Sequence, residues 1–92
     1  MRSAAGTLKK LTLELGGNDA AIVMPHTNID EVAPQIFGSA MFNSGQTCVA
    51  IKRVFVHESQ YEDFVQKIGN IAKSATVGDG TKKGIAYGPM NN

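Results

Sequence analysis

Residues 29 to 41 constrain the fold more than any other stretch. Ile29, Val32, Ala33, Ile36, Phe37, Ala40 and Met41 recur at helical spacing along one face. This helix is bracketed by two strand-like runs. Ala20 to Met24 is short, apolar and ended by Pro25, as expected for a buried strand. Lys52 to His57 follows, with Val54, Phe55 and Val56 supplying β-favouring side chains. A helix between two strands is a crossover, and a crossover returns the chain parallel to its first strand.

The helix can be capped by Asn28 or Asp30. Pro34 favours the later cap, because proline is tolerated only near the first turn. The expected helix therefore runs from about Glu31 towards Asn43. Ser59 and Glu62 form a capping-box pair that announces a second helix. Its expected stripe is Tyr61, Phe64, Val65, Ile68, Ala72 and Ala75, with Gly69 costing about 1 kcal/mol inside it. The order strand, helix, strand, helix predicts an α/β layer on a parallel or mostly parallel sheet.

Before this unit, Met1 to Leu8 reads as the last turns of a helix. Leu11, Leu13 and Leu15 alternate with Thr12 and Glu14, which predicts a further strand with one buried face. Gly16-Gly17 interrupts it. After Val77 the chain turns rich in glycine and lysine and reads as a loop ending in Tyr87-Gly88-Pro89. Within it, Gly78-Asp79-Gly80-Thr81-Lys82-Lys83-Gly84 has the wrong final spacing for a dinucleotide fingerprint and follows a helix.

The 92 residues make one small domain or a piece of a larger one. Nine basic against eight acidic residues leave a net charge of +1, which argues against nucleic-acid or membrane-surface partners. No apolar run approaches membrane-spanning length, and Met1-Arg2-Ser3-Ala4-Ala5 lacks the apolar core of a signal peptide. A cytoplasmic location is the default expectation. His26, His57 and Cys48 lack metal-ligand spacing, so no metal is expected.

Cys48 is the single cysteine and cannot form an internal disulfide. It follows the helix-stopping Asn43-Ser44-Gly45 and precedes a strand, a junction where a side chain is held yet reachable. Two plain readings compete. A free cysteine is often a small buried hydrophobe. As a nucleophile it would need a base, and either histidine could serve a thiol hydrolase or acyltransferase.

A third reading comes from resemblance. Leu13-Glu14-Leu15-Gly16-Gly17-Asn18-Asp19-Ala20 resembles the glutamate signature of the NAD(P)-dependent aldehyde dehydrogenases, and Asn43-Ser44-Gly45-Gln46-Thr47-Cys48 resembles their cysteine signature. The separation of Glu14 from Cys48 matches as well. Similarity continues through Arg53-Val54-Phe55-Val56, Tyr61-Glu62-Asp63-Phe64-Val65, Val77-Gly78-Asp79 and Gly88-Pro89-Met90.

The resemblance implies that Cys48 attacks a small-molecule aldehyde and that Glu14 is the general base releasing a carboxylic acid from the thioester. It implies that the Leu15 and Gly16 backbone lies near the nicotinamide of NAD or NADP. Intact members are several times longer and form homo-oligomers. The chain accordingly looks like a central fragment, with residues 1–15 the tail of the cofactor domain and 16–92 the first part of the catalytic domain. Alone it is expected to be inactive. The other class of reading is a non-catalytic α/β piece that packs against partner segments.

Overall fold

The computed structural model describes residues 1–91. Its elements run α1 (Arg2–Ala5), β1 (Asp19–Val23), α2 (Ile29–Ala40), β2 (Ile51–Val56) and α3 (Tyr61–Ser74). The strands pair in parallel to form a two-stranded sheet, with α2 as the crossover. The expected α/β layer is therefore the observed one.

The core sits where the two long helices cover the sheet. Val23 of β1, Ala33 and Ile36 of α2 and Phe64 of α3 are buried together, with Ala21, Ile29, Val32, Ile51, Val56, Ile68 and Ile71 packed around them. The buried row of α3 is Phe64, Ile68 and Ile71, spaced for a single helix face. Tyr61 and Val65, expected in that stripe, lie on the neighbouring row and are exposed. Ile71 replaces them.

The helix ends correct two further expectations. The side chain of Asn28 accepts the Asp30 N–H at 3.1 Å, so α2 starts at Ile29 and Pro34 lies inside it. Lacking an N–H, Pro34 leaves one turn of the ladder unbonded. Ala33 and Ile36 on either side are both buried, and that packing outweighs the local loss. At the other helix the Ser59–Glu62 box does not form. His57 instead caps the turn ahead of α3: its Nδ1 accepts the Ser59 N–H at 3.3 Å and lies 2.8 Å from the Ser59 hydroxyl. A short 3-10 turn over Glu58–Gln60 then leads into α3 at Tyr61. Gln60 ties this corner to the β1–α2 turn by donating to the Thr27 carbonyl at 2.7 Å.

The expected strand over Leu11 to Leu15 is absent. The segment is irregular and exposed, and Leu15 keeps 76% of its surface. Alternation marks a side that could be buried, but a strand also needs a neighbouring ladder. No described residue supplies one. Met1 to Leu8, by contrast, does contain a single helical turn, α1.

The loop after α3 folds back on itself. Thr76 accepts the N–H groups of Ala86 and Tyr87 at 3.1 and 3.0 Å, and Gly78 donates to the Tyr87 carbonyl at 3.0 Å. At its tip the backbone N–H of Thr81, and then its hydroxyl, bind Asp79 and hold that carboxyl below its ordinary range. The Tyr87 ring meets Phe37 edge-on at 6.1 Å. The loop thereby returns Gly88 to Asn91 to the end of α2.

Candidate active site

The parallel sheet brings the two signature segments together. Gly17 lies two residues before β1 and Cys48 three residues before β2, and Asp19 is in register with Ile51. Both approaches therefore lie at the amino end of the sheet. Gly17 packs directly against the carbonyl of Cys48, and a Cβ added there would overlap that oxygen. Only glycine permits so close a passage. One residue further on, Arg53 Nε donates to the Asn18 carbonyl at 3.0 Å and fixes the segment to β2.

Cys48 itself is exposed, so the buried-hydrophobe reading fails. It occupies a tight turn closed by the Ala50 N–H donating to the Thr47 carbonyl at 3.1 Å. Ala50, just beyond it, is buried and seats the turn. Upstream, the chain leaves α2 through an unusual bend. Asn43 (φ 52°, ψ 42°) and Ser44 (φ 57°, ψ 31°) are both left-handed, followed by Gly45 at φ 77°. Non-glycine residues held this way cost on the order of 1–3 kcal/mol each, so their surroundings must enforce the shape.

Those surroundings are visible. Gln46 donates from its backbone and from Nε2 to the Asn43 carbonyl, at 3.1 and 3.0 Å. The Ser44 hydroxyl donates to the Gly88 carbonyl at 3.1 Å, and the Asn91 N–H donates to Gln46 Oε1 at 2.7 Å. Residues 88–91 thus act as a strap across the cysteine bend. From the strand side, Lys52 Nζ donates to the carbonyls of Thr47 and Cys48, at 2.5 and 3.0 Å.

Glu14, Leu15 and Gly16 are exposed on the irregular segment leading to Gly17. A Cβ at Gly16 would meet nothing within 4 Å, so its backbone faces open space. Such open backbone leaves room for a flat ring to approach face-on. Thr47 and Val49, the chain neighbours of Cys48, border an open groove of about 630 Å³ that continues along α2 past Gln35, Gly38, Ser39 and Phe42; Cys48 itself does not line it.

Both histidines lie at the opposite end. β2 has six residues, which at the usual rise per residue span about 20 Å. His57 follows its last residue, and its Nδ1 is engaged with Ser59. His26 follows the carboxyl end of β1, in a turn at φ 65°. Neither can take a proton from Cys48. The cysteine–histidine hydrolase reading fails for the histidines of this chain.

Sequence alone marks neither Lys52 nor the hydrogen bonds of the 88–91 strap; it marks Gly17 as a break in a strand and a member of the glutamate motif, but not as the partner of the Cys48 carbonyl. A signal for Lys52 did exist. Adjacent Lys52 and Arg53 break the alternation that a regular strand would keep.

Comparison with known proteins matches the chain over residues 1–92 to the model of the Aldehyde dehydrogenase family. A probable aldehyde dehydrogenase from a Pseudomonas species is 50% identical over 91 residues, covering 99% of this chain and 19% of the relative. Succinate-semialdehyde dehydrogenase from Burkholderia pseudomallei superposes with a TM-score of 0.82 at 42% identity, over 97% of this chain and 18% of that one. The NAD+ complex of aldehyde dehydrogenase from Bacillus cereus gives 0.86 at 35% identity, over 99% and 18%. The chain thus spans about a fifth of the length of the curated relatives it matches.

Proposed function

The chain belongs to the aldehyde dehydrogenase family, and on that premise we propose that it carries the nucleophile and base of an NAD(P)-dependent oxidation of aldehydes to carboxylic acids. The observation that carries the proposal is the contact of Gly17 with the Cys48 carbonyl. It joins the glutamate-bearing segment to the cysteine turn in one place.

In this reading Cys48 acts as a thiolate. Its sulfur bonds to the carbonyl carbon, and the carbonyl electron pair moves onto oxygen. The Cys48 backbone N–H, which makes no hydrogen bond among the described residues, is the donor to that oxyanion. NAD(P)+, when bound, would supply the two-electron acceptor for the carbon's hydride. The oxyanion's electron pair then re-forms the carbonyl, leaving a thioester on Cys48. Glu14 takes a proton from water, the hydroxyl adds to the thioester carbon, and the carbon–sulfur bond breaks to return the thiolate and release the acid. In this reading Leu15 and Gly16 offer exposed backbone to the nicotinamide.

The domain boundary proposed after Leu15 fits the distribution of buried residues. The core begins at Val23, and residues 1–15 contribute nothing to it.

The test is made on the full-length protein that contains this chain. Cys48→Ala should abolish aldehyde-dependent NAD(P)H formation while cofactor binding stays intact. A variant that still turns over would remove the nucleophile assignment. A protein with no aldehyde-dependent reduction in its wild-type form would favour the non-catalytic reading.

A further inference from the structure

Lys52 is the odd residue in the sheet. Asp19 is in register with Ile51 and Ala20 with Arg53, so the pairing advances one residue on β1 and two on β2. Lys52 is the residue left over, a bulge in a parallel pair. Bulges re-aim a side chain. Here the lysine turns back towards the preceding turn, where Nζ reaches the carbonyls of Thr47 and Cys48.

The shorter of these bonds, 2.5 Å to Thr47, matters most. The Thr47 carbonyl and the Cys48 N–H belong to the same peptide group. No peptide bond in the chain is cis, so the N–H points away from the carbonyl. A cation on the oxygen side therefore leaves the N–H side open, at the end of the peptide next to the thiol. It also draws electron density from nitrogen towards oxygen, making the N–H a stronger donor. Chained hydrogen bonds reinforce one another in this way by about 10–30%. The same oxygen accepts the Ala50 N–H at 3.1 Å, so two donors hold the peptide plane.

We propose that Lys52 is a positioning residue for aldehyde oxidation: it fixes and polarises the Thr47–Cys48 peptide so that the Cys48 N–H is set to receive the developing oxyanion. This rests on the reading of Cys48 as nucleophile. The lysine touches neither substrate nor sulfur in this role. Its effect should therefore appear when negative charge develops on the substrate oxygen, and not when the thiolate reacts without forming an oxyanion.

That difference supplies the test, made on the full-length protein with whichever of acetaldehyde, benzaldehyde or succinate semialdehyde it oxidises fastest. Lys52→Met should lower the pre-steady-state NAD(P)H burst and kcat by about tenfold or more, a fraction of the loss when an oxyanion donor is deleted outright. KM should stay within about twofold, as expected for an interaction made in the transition state. Alkylation of Cys48 by iodoacetamide, which forms no oxyanion, should keep its rate and pH midpoint. Lys52→Arg, which retains a charged donor, should recover most of the turnover, and the neutral Lys52→Gln should fall between Arg and Met. If the Met variant does not fold, the Arg and Gln pair carries the test: lower turnover in Gln at equal alkylation supports the proposal, and equal turnover overturns it. Alkylation that falls in step with turnover would also overturn it, since the lysine would then act on the thiolate. Cys48→Ala run alongside separates the two readings. If it is dead while Lys52→Met is fully active, only the lysine's role is lost. If it turns over, the nucleophile is lost too.

Discussion

Replacing Gly17 by alanine should cost catalysis far more than stability. The added Cβ would overlap the Cys48 carbonyl oxygen and sit 3.0 Å from its carbon and 3.1 Å from Asp19 Oδ1. Gly17 does not have a positive φ, so alanine is not strained by its own backbone. The whole effect is steric and falls on the cysteine turn. Relief to ordinary contact requires the two backbones to part by about 1.3 Å. The core residues Val23, Ala33, Ile36 and Phe64 are not among the atoms the new methyl meets, so overpacking should cost about 1–3 kcal/mol. Catalytic geometry is less forgiving: a displacement of about 1 Å can cost on the order of 100-fold in rate. In the full-length protein, kcat for aldehyde oxidation should fall by about that factor while thermal denaturation still shows one cooperative transition. Turnover within about threefold of wild type would refute the reasoning, because the close passage would then have no hold on the thiol.

Glu14→Gln should slow thioester hydrolysis more than acylation, giving a rapid first turnover and then a stalled enzyme. Intact-protein mass spectrometry should find the acyl group on Cys48; if no acyl group is retained and deacylation is unimpaired, Glu14 is not the base. Gly69→Ala should stabilise the protein by about 1 kcal/mol, read as a higher Tm, because Gly69 lies inside α3 with open space around it. The 92 residues expressed alone should show no NAD binding by calorimetry and should self-associate on gel filtration, since Ile22, Phe55 and Leu15 are all exposed. A soluble monomer that binds NAD and oxidises acetaldehyde would contradict the fragment reading.

The sequence carried the parallel α/β layer because its evidence is local. The 29–41 stripe, the Ala20–Met24 run and the Val54–Val56 run each mark an element, and a helical crossover leaves few ways to join them. Leu11 to Leu15 shows the limit of that logic: its alternation is strand-like, yet pairing needs a second chain segment that no local pattern names. The caps failed for a related reason. Asn28 and Asp30 can each cap a helix, and the burial of Ala33 and Ile36 decided between them against the preference of Pro34. Ahead of α3 a histidine caps a 3-10 turn where a Ser59 cap was expected, and α3 itself starts without a side-chain cap. The candidate site was readable as two motifs 34 residues apart. What holds them, the bulge at Lys52 and the strap from Gly88 to Asn91, depends on register and on long-range contacts, which one-dimensional spacing does not encode.

The strap also sets an order of events during synthesis. Ser44 is bound by Gly88 and Gln46 by Asn91, partners that lie 44 and 45 residues later in the chain. At ribosomal speeds of about 5–20 residues per second, those partners are made about 2–9 seconds after the bend they restrain. A turn with two left-handed non-glycine residues cannot be expected to hold its shape unaided over that interval. The nascent chain therefore presents Cys48 before the bend ahead of it is held. The bend is secured only when residues 88–91 have emerged and closed across it.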